Sequence, residues 1–285
     1  MYRHEYFDLW LHDDDELGPL VQGEIVERVT LHEWPLSSVQ RLTLSGGRTL
    51  IYKSQFGPTV ESEFYARASS NLLPWAQTVA EFDGHVCMLI EFVRGPLIVK
   101  LSLPEDEAAR IGREVLAQIA AISGDLPHMY DVSDGKKWET FIRAMLRTLT
   151  ELVKGKKFSL VNRATVRDLE RWAFSEPVLS TIRAGAGCVH RDLSGDNLFV
   201  LRDGYRLIDW QRPILGPPGV DTASLMASLG FDPARHAGEG AVRVWHLLNV
   251  NWLAQCAARW FPAGTPTYDK QIARLAARLD DFATR

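Results

Sequence analysis

At Arg94-Gly95-Pro96 the rhythm of this sequence changes. Before that point apolar residues alternate or gather in short β-branched runs. After it they recur at the spacing of one helix face. One regular layer cannot satisfy both patterns, so the chain must build an antiparallel β part and a helical part. VERVTLHEW, SVQRLTLS and RTLIYKS read as strands, the last two joined by a Gly46-Gly47 turn. TVESEFYARASSNLL has helical spacing, with Phe64 and Ala68 four residues apart. TVAEFDGHVCMLIEFV reads as two strands around the tight turn Asp83-Gly84.

The second part opens on LPEDEAARIGREVLAQIAAIS, with Pro104 near its start and acids in its first turn. KKWETFIRAMLRTLTELV, RATVRDLERWAFSE, GAVRVWHLLNVNWLAQCAARW and TYDKQIARLAARLDDFATR continue the helical pattern. Trp245 and Trp252 are expected to fill the core around a thoroughly buried helix. The expected class is α+β, with a β-rich part carrying one helix and a larger helical part. The expected division is residues 1–93, a linker at 94–97, and residues 98–285.

The totals exclude several classes of function. The 285 residues are 46% hydrophobic and 24% charged, which is ordinary for a soluble globular chain. The net charge of −4 gives no basic footprint for nucleic acid. No apolar run has the length of a membrane span. The start, MYRHEYFDLWLHDDDEL, lacks the apolar core of a secretory signal. Cys87, Cys188 and Cys256 lie far apart, without a CxxC, and read as reduced thiols in a cytoplasmic protein. The sequence sets no oligomeric state. Charge is uneven: residues 1–96 hold 7 Lys and Arg against 14 Asp and Glu, and residues 97–285 hold 25 against 22.

The stretch CVHRDLSGDNLFVLRDGYRLIDW, residues 188–210, concentrates the polar chemistry. LFVL, RDGY and RLID form a hairpin signal. A type I′ loop at Asp203-Gly204 would pair Arg202 with Tyr205, set Leu198 opposite Asp209, and set Asn197 opposite Trp210. Asn197 and Asp209 would then be diagonal neighbours at the open end, with Asp192 on the entering loop. An amide oxygen and a carboxylate are hard ligands that suit Mg²⁺. A second carboxylate could orient a hydroxyl and accept its proton. Asp and Asn at hairpin ends also simply satisfy loop N–H groups.

With these residues placed, the chain resembles the aminoglycoside phosphotransferase and choline kinase-like branch of the protein kinase fold. The match is HRDLSGDN (His190 to Asn197), LIDWQRP (Leu207 to Pro213) and DTASL (Asp221 to Leu225). The resemblance implies a bilobal fold with an N-terminal nucleotide lobe. It implies that Asp192 is the catalytic base and that Asn197 and Asp209 hold Mg²⁺ on the phosphates of ATP. His190 would brace the loop, and Asp221 would support it. Arg191 receives no phosphate-reading role, and Asp196 reads as solvated.

By the same resemblance Lys53, the lone Lys of residues 1–96, grips the α- and β-phosphates. Its partner would be Glu61 or Glu63. The two face different sides of a helix, so only one can meet Lys53, and the family spacing favours Glu61. MLIEFVRG resembles the hinge, where the backbone of Glu91 and Val93 would bond adenine. EWPLSSVQ stands where the family has its phosphate loop but has no glycine, leaving Ser37 and Ser38 to serve.

These features imply an ATP-dependent O-phosphotransferase for a small-molecule hydroxyl, such as a sugar or amino alcohol. An antibiotic kinase acting on aminoglycosides is the alternative; its cationic substrate would need acid that residues 97–285 lack in sum. The C-terminal LDDF is faintly like the acidic tail of some aminoglycoside kinases, but a carboxylate pair facing solvent at a helix end also explains Asp280-Asp281. A nucleotide-binding pseudokinase is a third reading, supported by the glycine-free loop. A protein kinase is disfavoured, because Asp209 is followed by Trp-Gln and Asp221 comes only twelve residues later.

Overall fold

The computed structural model describes residues 1–281. The side chains of Asp280 and Asp281 lie outside the described residues. The chain mixes helices with antiparallel sheets and divides into two compact units. The first comprises residues 1–102, 121–129 and 195–213, and the second the remainder. No helix among the described residues is long and apolar enough to cross a membrane.

The first unit starts with two short paired strands, β1 (Tyr2–Arg3) and β2 (Trp10–Leu11), and the helix α1 (Asp14–Val21). Asp13 and Glu16 close α1 with a reciprocal capping box. Then come β3 (Ile25–Trp34), β4 (Ser37–Leu44), β5 (Thr49–Phe56), the helix α2 (Glu61–Arg67), β6 (Ala76–Phe82) and β7 (His85–Glu91). They form one antiparallel sheet in the order β3-β4-β5-β7-β6.

Alternation gives this sheet two faces. Leu42, Leu50, Tyr52, Cys87 and Leu89 lie against Leu11, Leu17 and Val21 of the N-terminal segment. Ile51, Met88 and Ile90 pack on the other face with Tyr65 of α2. Lys53, two residues after Ile51, shares that second face.

Several turns and boundaries follow from local chemistry. Asp83 and Gly84 both take positive φ, as a type I′ hairpin requires. Helix α2 stops at Arg67, well short of the spacing in TVESEFYARASSNLL. There Ser70 captures the N–H of Leu72 with its hydroxyl and that of Leu73 with its carbonyl, which competes with helix.

After residue 103 the helices α3 (Glu105–Ala120), α4 (Gly135–Lys154), α5 (Arg163–Ala173) and α6 (Glu176–Arg183) appear, with strand β8 (Tyr130–Asp131) between α3 and α4. Strand β9 (Gly187–Val189) precedes the hairpin β10 (Leu198–Leu201) and β11 (Gly204–Leu207). Strand β12 (Ile214–Gly216) and the helices α7 (Gly219–Ser228), α8 (Pro233–Ala237), α9 (Glu239–Gln255) and α10 (Thr265–Asp281) complete the chain. In the second unit β12 lies between β8 and β9. Its core joins Trp138, Phe141 and Leu149 of α4 to Leu247 and Val250 of α9 and Ile272 of α10. Trp245 packs against this core as expected, although half-buried, and Trp252, also expected there, is half-buried.

The hairpin departs from expectation in two ways. Its register pairs Leu198 with Leu207 and Leu201 with Gly204, so Leu198 does not face Asp209. The turn residues are Arg202 and Asp203, and Gly204 alone takes positive φ, at 145°. Glycine bears that conformation without cost, whereas a type I′ loop would have forced Asp203 into it. The displacement is two residues, so every side chain keeps its face. The hairpin also groups with the first unit, where it was expected to be embedded in the second lobe. Val200 donates its N–H to Pro96 O at 3.0 Å, and Leu207 to Leu72 O at 2.8 Å.

In the second unit one carboxylate ties α10 to the segment before α5. Asp269 of α10 accepts the N–H groups of Ser159, Leu160 and Val161 at 2.7, 2.8 and 2.8 Å, just before α5. Burial works to raise its carboxyl, but those N–H groups outweigh it and hold the group below the usual aspartate value. Asp269→Ala is expected to lower stability by about 3 kcal/mol, read as an earlier urea midpoint. The stabilisation is present above the ordinary Asp value and fades as pH falls through the lowered one. The gap between the two proteins should therefore narrow in acid.

Candidate active site

In the first unit three charged side chains meet on the α2 side of the sheet. Lys53 projects from β5, Glu61 opens α2, and Asp209 follows the hairpin. The Lys53 ammonium donates to Glu61 Oε2 at 2.6 Å and to Asp209 Oδ1 at 2.6 Å. Glu63, two residues on, points elsewhere and pairs with Arg67. The sequence had left these two acids open, and helix geometry separates them.

Burial sets the electrostatics of this cluster. Lys53 is 5% and Glu61 1% exposed. Burial works against the Lys53 ammonium, but Asp209 and Glu61 outweigh it and hold its pKa above the ordinary value. Burial pushes the Glu61 carboxyl up to about 7, against the pull of Lys53. One ammonium between two carboxylates leaves one negative charge in excess. The Asp209 side chain, 30% exposed, is the carboxylate of the pair that an external cation can approach.

Further contacts fix this arrangement. Val60, at the start of α2, donates its N–H to Gln211 O at 3.0 Å. Phe64 stacks on Trp210 with ring centroids 4.3 Å apart. Trp210 is fully buried and donates its indole N–H to Leu207 O. Asp209 itself sits at φ 70°, a conformation worth about 1–3 kcal/mol of strain in a non-glycine residue. The neighbours that offset this were not read as site residues in the sequence. Their signal was present in two aromatics, one three residues after Glu61 and one immediately after Asp209.

Asn197 precedes β10 and accepts the Ile208 N–H on its backbone oxygen at 3.0 Å. Asn197 and Ile208 thus form the last rung at the open end of the hairpin, and Asp209 is the next residue. No group of three or more His, Cys, Asp or Glu among the described residues could cage a metal. An amide and a half-exposed carboxylate instead suit an ion that keeps most of its shell for water and phosphate.

The other phosphate and adenine candidates have definite places. Pro35-Leu36 forms the whole turn between β3 and β4, so Ser37 and Ser38 lie inside β4. Both are buried, and the Ser37 hydroxyl accepts the Trp34 indole N–H. Glu91 ends β7, donates its backbone N–H to Trp75 O, and accepts the Trp75 N–H on its side chain. Val93 follows as a buried residue.

In the second unit the loop after β9 is organised by Asp221 of α7. Its carboxylate accepts the His190 N–H on Oδ2 and the Arg191 N–H on Oδ1, both at 2.8 Å. Asp221 is 1% exposed, and burial pushes it up to about 7 against those two N–H groups. Arg191 takes φ 73° and donates from its guanidinium to Leu248 O of α9. Buried in this way, Arg191 is a structural tie. Asp192 lies next to these fixed residues and is exposed, as is Asp196.

Comparison with known proteins follows the same lines. The profile of the phosphotransferase enzyme family, APH, matches residues 60–260. No curated protein sequence matches. Among solved structures, a choline/ethanolamine kinase family protein from Mesorhizobium loti is 15% identical, with a TM-score of 0.64 over 93% of this chain and 92% of that one. A thermostable mutant of an aminoglycoside phosphotransferase, in ternary complex with AMP-PNP and hygromycin B, is 14% identical, with a TM-score of 0.62 over 93% and 96%. A spectinomycin phosphotransferase in complex with ADP and spectinomycin is 11% identical, with a TM-score of 0.58 over 95% and 99%. These likenesses place the fold among the small-molecule kinases. With the profile matching well over half of its length, the chain belongs to the phosphotransferase enzyme family.

Proposed function

We propose that this protein transfers the γ-phosphate of ATP to a hydroxyl of a small molecule. The observation that carries the reading is Lys53 held between Glu61 and Asp209 at 2.6 Å from each. A buried ammonium supported by one fully buried acid is suited to grip phosphates as a fixed charge. Residues 1–93 hold the nucleotide and residues 98–285 the acceptor, with residues 94–97 linking two lobes. The backbone of Glu91 and Val93 receives adenine. Glu91 donates its N–H within the protein, so its carbonyl is the main-chain group left to meet the base.

Asn197 and Asp209 are the residues that hold Mg²⁺, which when bound neutralises charge on the nucleotide phosphates. Asp192 orients the acceptor hydroxyl and takes its proton. The hydroxyl oxygen bonds to the γ-phosphorus, and the bond from that phosphorus to the β,γ-bridging oxygen breaks. ADP leaves with the electron pair. The short Pro35-Leu36 turn and the engaged Ser37 hydroxyl leave the phosphate-binding work to Lys53 more than to the loop. The family's reaction needs no membrane or nucleic acid, and three free thiols fit a reducing cytoplasm.

Asp221 is a positioning residue in this scheme. Asp221→Asn would set an amide NH₂ against one of two backbone N–H groups. It is expected to lower kcat about 10- to 100-fold through displacement of the Asp192 loop, while KM for ATP stays nearly unchanged. An equal loss in kcat and in ATP affinity would point to general unfolding instead. The function itself is tested by incubating the protein with ATP, Mg²⁺ and a panel of sugars, amino alcohols and aminoglycosides. Formation of a phosphate monoester supports the reading; ATP binding without transfer to any acceptor favours a pseudokinase.

A further inference from the structure

In the second unit α9 and α10 pack side by side, and a cavity of about 310 Å³ opens along their seam. Helix α9 contributes Asn249, Trp252 and Leu253, and α10 contributes Gln271, Arg274, Leu275 and Arg278. Within each helix these positions recur at the spacing of a single face. The adjoining face of α10 carries Ile272, Ala276 and Leu279 into the core, and Leu253 and Leu275 of the cavity lining pack against that core. The cavity therefore borders the core, and its outer rim is polar and charged.

That composition is selective. Half-buried Trp252, Leu253 and Leu275 supply an apolar floor. Asn249 and Gln271 add amides that can both donate and accept. Arg274 and Arg278, one turn apart and exposed, supply the only charges in the lining among the described residues. Several exposed arginines elsewhere on this chain pair with acids, Arg110 with Glu107, Arg143 with Glu139 and Arg171 with Asp168. Among the described residues, Arg274 and Arg278 form no ion pair. The charge of Arg278 also reaches buried His246 of α9, which burial first and Arg278 second hold down to about 4.

We propose that this cavity binds a small ring compound carrying a carboxylate or a phosphate. The ring lies against Trp252, its hydroxyls meet Asn249 and Gln271, and the oxyanion lies between Arg274 and Arg278. Two guanidinium forks are matched to an oxyanion in geometry as well as charge. A flat indole with one polar edge suits the apolar face of a sugar or an aromatic ring. The volume is at the low end for ligand sites, which limits the occupant to about one substituted ring. This inference does not rest on the roles given to Lys53 or Asp192.

The test is a calorimetric titration of the full-length protein with glucuronate, glucose 6-phosphate and neutral glucose. At least one of the two anions is expected to bind roughly tenfold or more tightly than glucose. The double variant Arg274→Gln/Arg278→Gln should lose that preference, while Arg110→Gln keeps it. Both exposed arginines can be changed without loss of core, and an unaltered melting temperature and unaltered MgATP binding would verify this. Equal binding of glucose and the anions would overturn the proposal. So would full retention of affinity in the double variant, or absence of binding by all three sugars.

Discussion

Asp192→Asn should lower kcat by about 10²–10⁴ while leaving MgATP affinity within about twofold. Asp192 follows two residues whose backbone N–H groups are clamped by Asp221 at 2.8 Å, yet its own side chain is exposed. A general base needs this combination of a fixed backbone and a reachable carboxylate. The amide is nearly isosteric, so folding and nucleotide binding should survive, but it cannot take the hydroxyl proton. Steady-state kinetics with the acceptor found by panel assay, together with an ATP titration, separates the two effects. Unchanged turnover would remove Asp192 from the chemistry.

Lys53→Met should have the second large effect, on both binding and stability. It removes the ammonium from between Glu61 and Asp209 and leaves the two carboxylates without their shared partner. Breaking a buried ion pair from one side costs about 3–5 kcal/mol, less whatever solvent at half-exposed Asp209 returns. Binding of MgATP should weaken at least about tenfold, because the charge proposed to meet the phosphates is gone.

The pH dependence of that loss has a definite sign. Glu61 already has a pKa raised to about 7 by burial, and in the wild type Lys53 opposes the rise. Without Lys53 the folded-state value rises further. A raised group contributes stability that is fully present below its unfolded value and is lost as pH rises through the folded one. The deficit of Lys53→Met should therefore be largest above pH 7 and shrink toward pH 5. Urea denaturation at several pH values would show it; a deficit independent of pH would mean that Glu61 does not carry the charge.

What could be read from the sequence was mostly local. Period-two runs located β3 to β7, and the Asp83-Gly84 turn formed as its dipeptide demands. The scarcity of lysine before residue 97 singled out Lys53. The hairpin at residues 198–207 was legible, but its register was not. The same Asp-Gly dipeptide takes positive φ at both residues in 83–84 but only at Gly204 in 203–204, so the dipeptide alone does not fix the register. Helix α1 went unread although Asp13 and Glu16 carry a capping-box signature.

The remainder was long-range. Asp269 meets backbone more than a hundred residues earlier in the chain, and no local pattern announces that. Asp221 was expected to support the loop of His190, but the two N–H groups that it binds are visible only in the fold. Trp252 shows the opposite failure. Helical spacing marked it for the core, yet it lies half-buried in the lining of a cavity. Periodicity reports which face a residue occupies, not what covers that face.

Lys53, Glu61 and Asp209, with Asn197, are proposed to form a site for a metal-bound nucleoside triphosphate. A titration of the intact protein with ATP, in the presence of Mg²⁺ and again with EDTA, tests it most directly. Saturable binding is expected with Mg²⁺, weakened at least about tenfold by EDTA and by Asp209→Asn. Absence of ATP binding in the presence of Mg²⁺ would contradict it.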